Sequence, residues 1–421
     1  MLKAGALYLA IVISLIVSIV LGSMIYLTFF FRGQSASFDR QGILRQELEA
    51  GITLLKTLEF AYTEADTILP STLYSGDSIL VHKRPWGLYD IGYVKSYIQK
   101  DTLSRSIMMG LPLQDSLVLY VADEDRPLSV SGKTAIIGDA QLPKSGIQPA
   151  YVDSRYYDGH KDIVQGKKSD SDLTLPKLHD TRLQYLRELY RGLEKDTLPP
   201  LVSGDIQQSF YRSALIYRNG AATLLDGVTI AGNVIIMVDS TLHITAQTRI
   251  QDALIIARSI TIEKGFEGSA QFLAVDSIVI EDEVQLRYPS AVGILKKEGR
   301  ERPTQIKIGQ KCLIEGTLFY YEDKRAAVPG LVSIDKDTRI DGDVTVYGLL
   351  QYEKGVQLIG TTSCYRFLIK RPASIYENFL VDITLDRKKL SPYYLRSFLW
   401  EPSKKPVSAS VIKSLDTWTV E

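Results

Sequence analysis

The sequence predicts a mainly β protein. An N-terminal transmembrane α-helix and a small α+β region lead into a right-handed parallel β-helix, a solenoid of stacked strands. Three observations carry this. First, one phrase recurs in the second half: Ser240-Thr-Leu-His-Ile244, Ser259-Ile-Thr-Ile262 and Ser277-Ile-Val-Ile280, with weaker echoes at Gln305-Ile-Lys-Ile308 and Leu331-Val-Ser-Ile334. The steps Ile244 to Ile262 and Ile262 to Ile280 are both 18 residues. Second, another phrase runs out of phase with it, aliphatic residues four apart around a small or turn residue. It joins Ile230 to Val234 around Gly232, Ile250 to Leu254 around Asp252, Ile314 to Leu318 around Gly316, and Ile340 to Val344 around Gly342. A fixed period with alternating β-branched residues marks a coil of stacked strands. Third, Ala4 to Phe31 is a run of 28 residues without a charge.

That run opens the chain. As a helix it measures about 42 Å, enough to cross a bilayer with tilt. A cleaved signal peptide is the competing reading, but its apolar core is usually only about 7–15 residues, so a retained anchor over residues 1–32 is expected. Lys3 and the terminal amine favour a cytoplasmic N-terminus, whereas Arg32, Arg40 and Arg45 pull the other way.

Residues 33–127 read as a helix followed by antiparallel strands. Ile43, Leu44, Leu48, Ile52, Leu55 and Leu58 recur at helical spacing up to about Thr63, after a break near Gly33, and Pro70 closes the helical region. Ser78–His82, Leu88–Lys95, Ser106–Met109 and Asp115–Ala122 have strand composition. Residues 128–142 hold the solenoid phrase early, around Gly138, and are expected to form a first rung. Residues 143–212 then read as an insertion, with a Gly/Tyr/Asp/Lys-rich loop and a helix near Thr181–Lys195 stopped by Pro199-Pro200. The main β-helix is assigned to 213–385, with a charged excursion at Lys296–Pro303. The tail, 386–421, is expected to be a helical or irregular cap anchored by Trp400 and Trp418. The structural core is assigned to Ile230, Val234, Ile244, Ile250, Leu254, Ile262, Ile280, Ile308, Ile314, Ile334, Ile340 and Val344, and Gly232, Gly316 and Gly342 are assigned to turns.

Composition narrows the function. With 49 basic and 49 acidic residues the formal charge is zero, without the basic excess of a general nucleic-acid binder. Cys312 and Cys364 are too few for a disulfide framework and are expected as free thiols. His82, His160, His179 and His243 lie in no close ligand set, so no metal site is expected. Phosphate-loop, nucleophile-elbow and HExxH motifs are absent.

Carboxylate pairs on solenoids can cleave glycans, and Asp335, Asp337, Asp341 and Asp343 are the residues to weigh. Asp-Lys-Asp and Asp-Gly are also preferred corner residues, and that reading is the expected one. Glu263, Glu281 and Glu283 follow the strand phrases but recur too irregularly for a calcium ladder. Tyr320, Tyr321, Tyr365, Tyr393 and Tyr394 are weighed as sugar-stacking platforms against packing at sheet edges. No catalytic residue and no cofactor is expected.

The segment Gly5-Ala-Leu-Tyr-Leu-Ala-Ile-Val-Ile-Ser-Leu-Ile-Val-Ser-Ile-Val-Leu-Gly-Ser-Met24 resembles the N-terminal helix of PilX-type minor pilins. That resemblance implies packing against other pilus-like subunits through this helix. The repeat region, with Gly232-Asn-Val234 and Gly342-Asp-Val344, resembles the bactofilin or polymer-forming β-helix, which implies nucleotide-free end-to-end assembly. Together they point to a non-catalytic structural protein of the bacterial cell envelope: a minor pilin-like subunit or scaffold of a pilus- or secretion-type machine. It would be held single-pass in the inner membrane, with its bulk in the periplasm or outside the cell. The expected partners are that membrane and other envelope or pilus-like subunits. The cell wall or a glycan, and further copies of the chain, are also candidates; nucleic acid is not. A membrane-tethered bactofilin-like polymer and a glycan-binding or glycan-cleaving β-helix are the alternative readings.

Overall fold

The computed structural model describes residues 2–57, 61–63, 67–70, 78–98, 100–194, 198–201, 204–296, 303–372, 374–401 and 408–415. The protein is mainly β with one long N-terminal helix, α1, over Leu2–Lys56. The break expected near Gly33 does not occur. Gly5, Gly22 and Gly33 face open space, and a glycine costs a helix only about 1 kcal/mol relative to alanine without interrupting its hydrogen bonds. The helix also ends earlier than the expected Thr63.

The chain divides into two compact units. One comprises Met1–Leu55, Thr63–His82 and Tyr93–Arg105, and the other Lys56–Tyr62, Lys83–Gly92 and Ser106–Glu421. In the first, α1 changes character along its length. Its apolar beginning is exposed, while Leu44, Leu48, Ile52 and Leu55, spaced by fours and a three, are buried. They lie on an antiparallel sheet in which Thr67 pairs with Val81 and Pro70 with Ser78. Gly51 is where the helix comes closest, since a Cβ there would stand 2.5 Å from Val94 Cγ1 and 3.1 Å from Ile79 Cγ2. Ser96 Oγ donates to the Leu44 carbonyl at 3.0 Å, and Arg40–Asp101 at 2.7 Å and Arg105–Glu49 at 3.2 Å brace the helix flank.

The second unit is a continuous, largely parallel sheet that closes on itself. Its register is that of stacked turns, each strand pairing with the stretch about one repeat further on. Ile244 pairs with Ile262, Ile262 with Ile280, Ile280 with Ile308, Ile308 with Ile334, and Ile334 with Tyr352. A second column runs Leu286–Ile314–Ile340–Leu358–Leu385–Ile136. All twelve assigned core residues lie in one buried cluster. Full burial of such a side chain is worth roughly 1.5–3 kcal/mol, and the columns repeat that contribution at every turn.

The order of the turns differs from the linear expectation. Residues 128–142 do not precede the repeats but follow the last of them. Thr362–Cys364 pairs with Leu119–Val121, Phe379–Val381 with Ser129–Ser131, and Thr384–Asp386 with Ala135–Ile137. The strand Leu117–Val121, read as antiparallel, is therefore a parallel member of the stack. One turn is assembled from two distant pieces of chain, 117–121 and 379–386. The stack then continues into the expected insertion, where Ile147–Pro149 pairs with Leu128–Val130 and Lys168–Asp170 with Ala140–Leu142.

Charge stitches this join. Glu124 meets both Arg325 and Arg366. Glu377 meets Arg126 at 2.7 Å and Arg366 at 3.0 Å, and Asp382 meets Arg155 at 3.2 Å. The strand Lys168–Asp170, which pairs with Ala140–Leu142, is short and exposed.

Helix α2, Asp180–Arg191, continues as a 3-10 turn to Glu194 and buries Leu183 and Leu186. Its Arg182 is buried and ion-paired with Asp90. It also donates to the Gly87 and Tyr89 carbonyls at 3.0 and 3.1 Å. The tail departs from the helical or irregular cap expected of it. Leu395–Arg396 and Ser410–Ser414 pair antiparallel with the strand Asp101–Pro112. Trp400 is buried, while Trp418 and most of the excursion at 296–303 lie outside the described residues.

Candidate functional site

The first part of α1 is an exposed apolar surface. Leu7, Ile16, Ile25 and Phe29 are each more than half exposed, and the helix is long and apolar enough to cross a membrane. Three of its hydroxyls bond back to carbonyls of the helix. Ser14 Oγ donates to Ile11 O at 2.9 Å, Ser23 Oγ to Val20 O at 2.8 Å, and Thr28 Oγ1 to Met24 O at 2.8 Å. Hydrocarbon penalises unmet polar groups by several kcal/mol each, so these bonds make the segment compatible with lipid. Small residues stand at four-residue steps along one line: Ala6, Ala10, Ser14, Ser18 and Gly22. That spacing lets helices approach closely in a membrane. It was legible in the sequence, but lay hidden under the overall apolar composition.

Of the carboxylate candidates, Asp341 and Asp343 are each engaged by an arginine. Asp341 is held by Arg339 through two contacts, 2.6 and 2.7 Å. Asp343 is buried and accepts from Arg396 Nε at 3.1 Å, Arg396 Nη2 at 2.9 Å and Tyr394 Oη at 3.3 Å. The corner role suits Asp335, which accepts the Lys336 N–H at 2.7 Å, and Asp337, whose φ is +56°. It does not suit Asp343, which lies inside the strand Arg339–Tyr352.

Gly316 and Gly342 also lie inside strands rather than in turns. With Gly360 they form a ladder at φ near +145° (+143°, +147° and +143°). A Cβ at Gly316 would strike the Ser290 carbonyl, and one at Gly342 the Gly316 carbonyl. Gly232 has φ +81° and ends the short strand Thr229–Gly232.

The recurring glutamates cap corners of the stack. Glu263 accepts the Ala246 N–H at 2.9 Å and Glu281 the Lys264 N–H at 3.0 Å. Each acid thus satisfies a backbone donor one turn earlier. Glu283 pairs with Lys264 at 3.5 Å. Among the described residues no group of three or more His, Cys, Asp and Glu converges on a metal position.

Of the tyrosines weighed as platforms, Tyr320 and Tyr394 are buried. Tyr320 Oη bonds Thr304 at 2.8 Å and Glu322 at 3.0 Å. Tyr321 and Tyr365 flank Tyr347 in a ladder with centroids 4.8 and 6.0 Å apart, and Tyr347 Oη donates to the Pro176 carbonyl at 2.6 Å. These rings clamp the segment before α2 to the stack. Tyr393 stays exposed. Cys312 and Cys364 are free and buried. Burial pushes the Cys312 thiol from its ordinary 9.0 up to about 11 and the Cys364 thiol well above its ordinary value.

An open groove of about 990 Å³ runs along the early turns, with Gln207, Thr229, Gln247, Arg249, Gln251 and Glu267 on its walls. It contains polar hydrogen-bonding groups but no His or Cys.

No family model and no curated protein matches the chain. Among solved structures, the competence-associated pilin ComZ from Thermus thermophilus aligns over 90% of this chain and 95% of its own, at 8% identity and a TM-score of 0.23. A likeness at that level establishes neither a shared fold nor a shared function.

Proposed function

We propose that this chain is a single-pass, membrane-anchored structural protein of the bacterial cell envelope, a minor pilin-like subunit or scaffold without catalytic activity. In this reading the parallel stack is a right-handed β-helix on the outer side of the inner membrane. The observation that carries the proposal is α1. One uninterrupted helix is lipid-compatible over its first half and amphipathic over its second, where it packs on an antiparallel sheet. A helix of this kind fits an anchor that continues rigidly into a folded body. The small-residue line from Ala6 to Gly22 suits packing against like helices of neighbouring subunits. The absence of catalysis is supported by the engagement of Asp341 and Asp343 with arginines and of the glutamates with backbone donors.

The test is topology. Alkaline phosphatase is fused after Glu421 in a Gram-negative host, and spheroplasts are treated with protease. An active fusion and a protease-sensitive chain are expected. An inactive, protected fusion would refute the outward placement and favour a tethered, bactofilin-like polymer.

A further inference from the structure

The segment following the stacked turn 128–142 carries a small hairpin. Val152 and Arg155 exchange both backbone hydrogen bonds at 3.0 Å. Between them Asp153 and Ser154 adopt φ of +48° and +62°, the pattern of a two-residue type I′ connection. Tyr151 and Tyr156 are thereby the neighbouring cross-strand pair, at the non-hydrogen-bonded position where side chains approach most closely. Their ring centroids are 4.7 Å apart with planes inclined at 50°. The rings are 58% and 71% exposed.

The hairpin beneath them is fastened at every point. Arg371 Nε meets Asp153 at 2.9 Å, and Arg155 Nη1 meets Asp382 at 3.2 Å. Ser131 Oγ donates to the Arg155 carbonyl at 2.8 Å, and the Gly132 N–H to the Tyr156 carbonyl at 3.1 Å. Val152 is buried. Two aromatic rings are thus held in water on a fixed support, a preorganised arrangement that lowers the ordering cost of binding.

The chemistry narrows the occupant. Two tyrosine side chains offer at most about 300–500 Å², short of the roughly 800 Å² per partner of a standard protein interface. The flanking Asp153 and Arg155 each sit in an ion pair, with Arg371 and Asp382, so the charge beside the rings is balanced rather than strongly of one sign. The face of an aromatic ring is electron-rich and attracts the C–H bonds that a pyranose with equatorial hydroxyls presents on its flat sides.

We propose that Tyr151 and Tyr156 form a platform for a neutral, β-linked glycan of gluco configuration. This builds on the proposed outward placement of the stack, where such polymers would be met. Binding by the purified chain does not depend on that placement, so the two ideas fail separately.

The test uses the full chain in detergent, with chitohexaose and cellohexaose as probes and an α-linked dextran oligomer for comparison, read by saturation-transfer NMR and titration calorimetry. Binding of a β-linked probe is expected. It should weaken roughly tenfold in Tyr151→Ala and in Tyr156→Ala, persist in Tyr156→Phe, and be unchanged in Phe38→Ala, which alters an exposed aromatic residue elsewhere. The melting temperatures of both alanine variants should stay close to the parent, because the side chains are exposed. The proposal is overturned by no binding of either β-linked probe, by equal binding in the alanine variants, or by equal loss in Phe38→Ala. It is also overturned if a photo-crosslinker at position 156 in cells captures a polypeptide instead.

Discussion

Replacing Asp343 by alanine separates a structural carboxylate from a catalytic one. The Asp343 side chain is 1% exposed, and the Arg396 side chain that it pairs with is 15% exposed. Arg396 gives two N–H bonds to the carboxylate, and Tyr394 adds its hydroxyl at 3.3 Å. Removing one partner of such a pair usually costs about 3–5 kcal/mol, because a buried charge is left uncompensated. Asp115 lies 3.6 Å from Arg396 Nη1 and the Trp400 ring 5.0 Å from its guanidinium carbon. Both would take up part of the stranded charge, so about 3 kcal/mol is the expected loss. For a chain of 421 residues that corresponds to a fall in Tm of roughly 3–4 °C, measured by near-ultraviolet circular dichroism in detergent.

Asp341→Ala breaks a more exposed pair and should cost only about 0–1 kcal/mol. Replacing Arg396 by methionine in the Asp343→Ala background removes the stranded charge and should restore part of the loss. If Asp343→Ala melts with the parent, or if Asp341→Ala is the more damaging change, the ion-pair account of this carboxylate fails. A glycan-cleaving activity that vanished in either variant with Tm intact would replace it by the catalytic reading.

Four further outcomes are expected. Ile262→Asp, which puts a charge into the column Ile244–Ile262–Ile280, should abolish the folded stack as seen by limited proteolysis, whereas Ile262→Val should cost only about 0.5–1.5 kcal/mol; a soluble, protease-resistant aspartate variant would refute the register. Gly342→Ala should destabilise by more than the roughly 1 kcal/mol of an ordinary strained φ, because the added Cβ meets the Gly316 carbonyl; chemical denaturation reads this, and an unchanged midpoint would overturn it. Folding holds the proton on Cys312, so the stability this thiol contributes is complete below pH 9.0 and falls as pH rises towards about 11; Cys312→Ala should flatten that slope, and both thiols should resist iodoacetamide at pH 8 until denaturant is added. Val17→Lys places a charge mid-span at a cost of about 2.5–3.5 kcal/mol and should shift the chain towards the carbonate-extractable fraction, while unchanged membrane retention would count against a spanning helix.

Local chemistry in the sequence determined the apolar helix, the strand-rich composition and the columns of isoleucine and valine. Charge-free length and an 18-residue period act through nearest neighbours and through identical positions one turn away. The continuity of α1 through Gly33 was harder to foresee, since a glycine weakens a helix without having to end it. What only the tertiary structure decided is the closure of the stack. Pairing of Leu119 with Thr362 and of Ile136 with Leu385 joins residues 243 and 249 positions apart, and no periodicity reports such a pairing. The same holds for Asp343, whose Asp-Gly context suggests a corner until Arg396 arrives from the tail. Tyr151 and Tyr156 became a pair only when the hairpin at Asp153-Ser154 closed between them. Repetition is written in sequence because each turn meets an equivalent neighbour, whereas these joins depend on side chains that distant, non-repeating segments bring together.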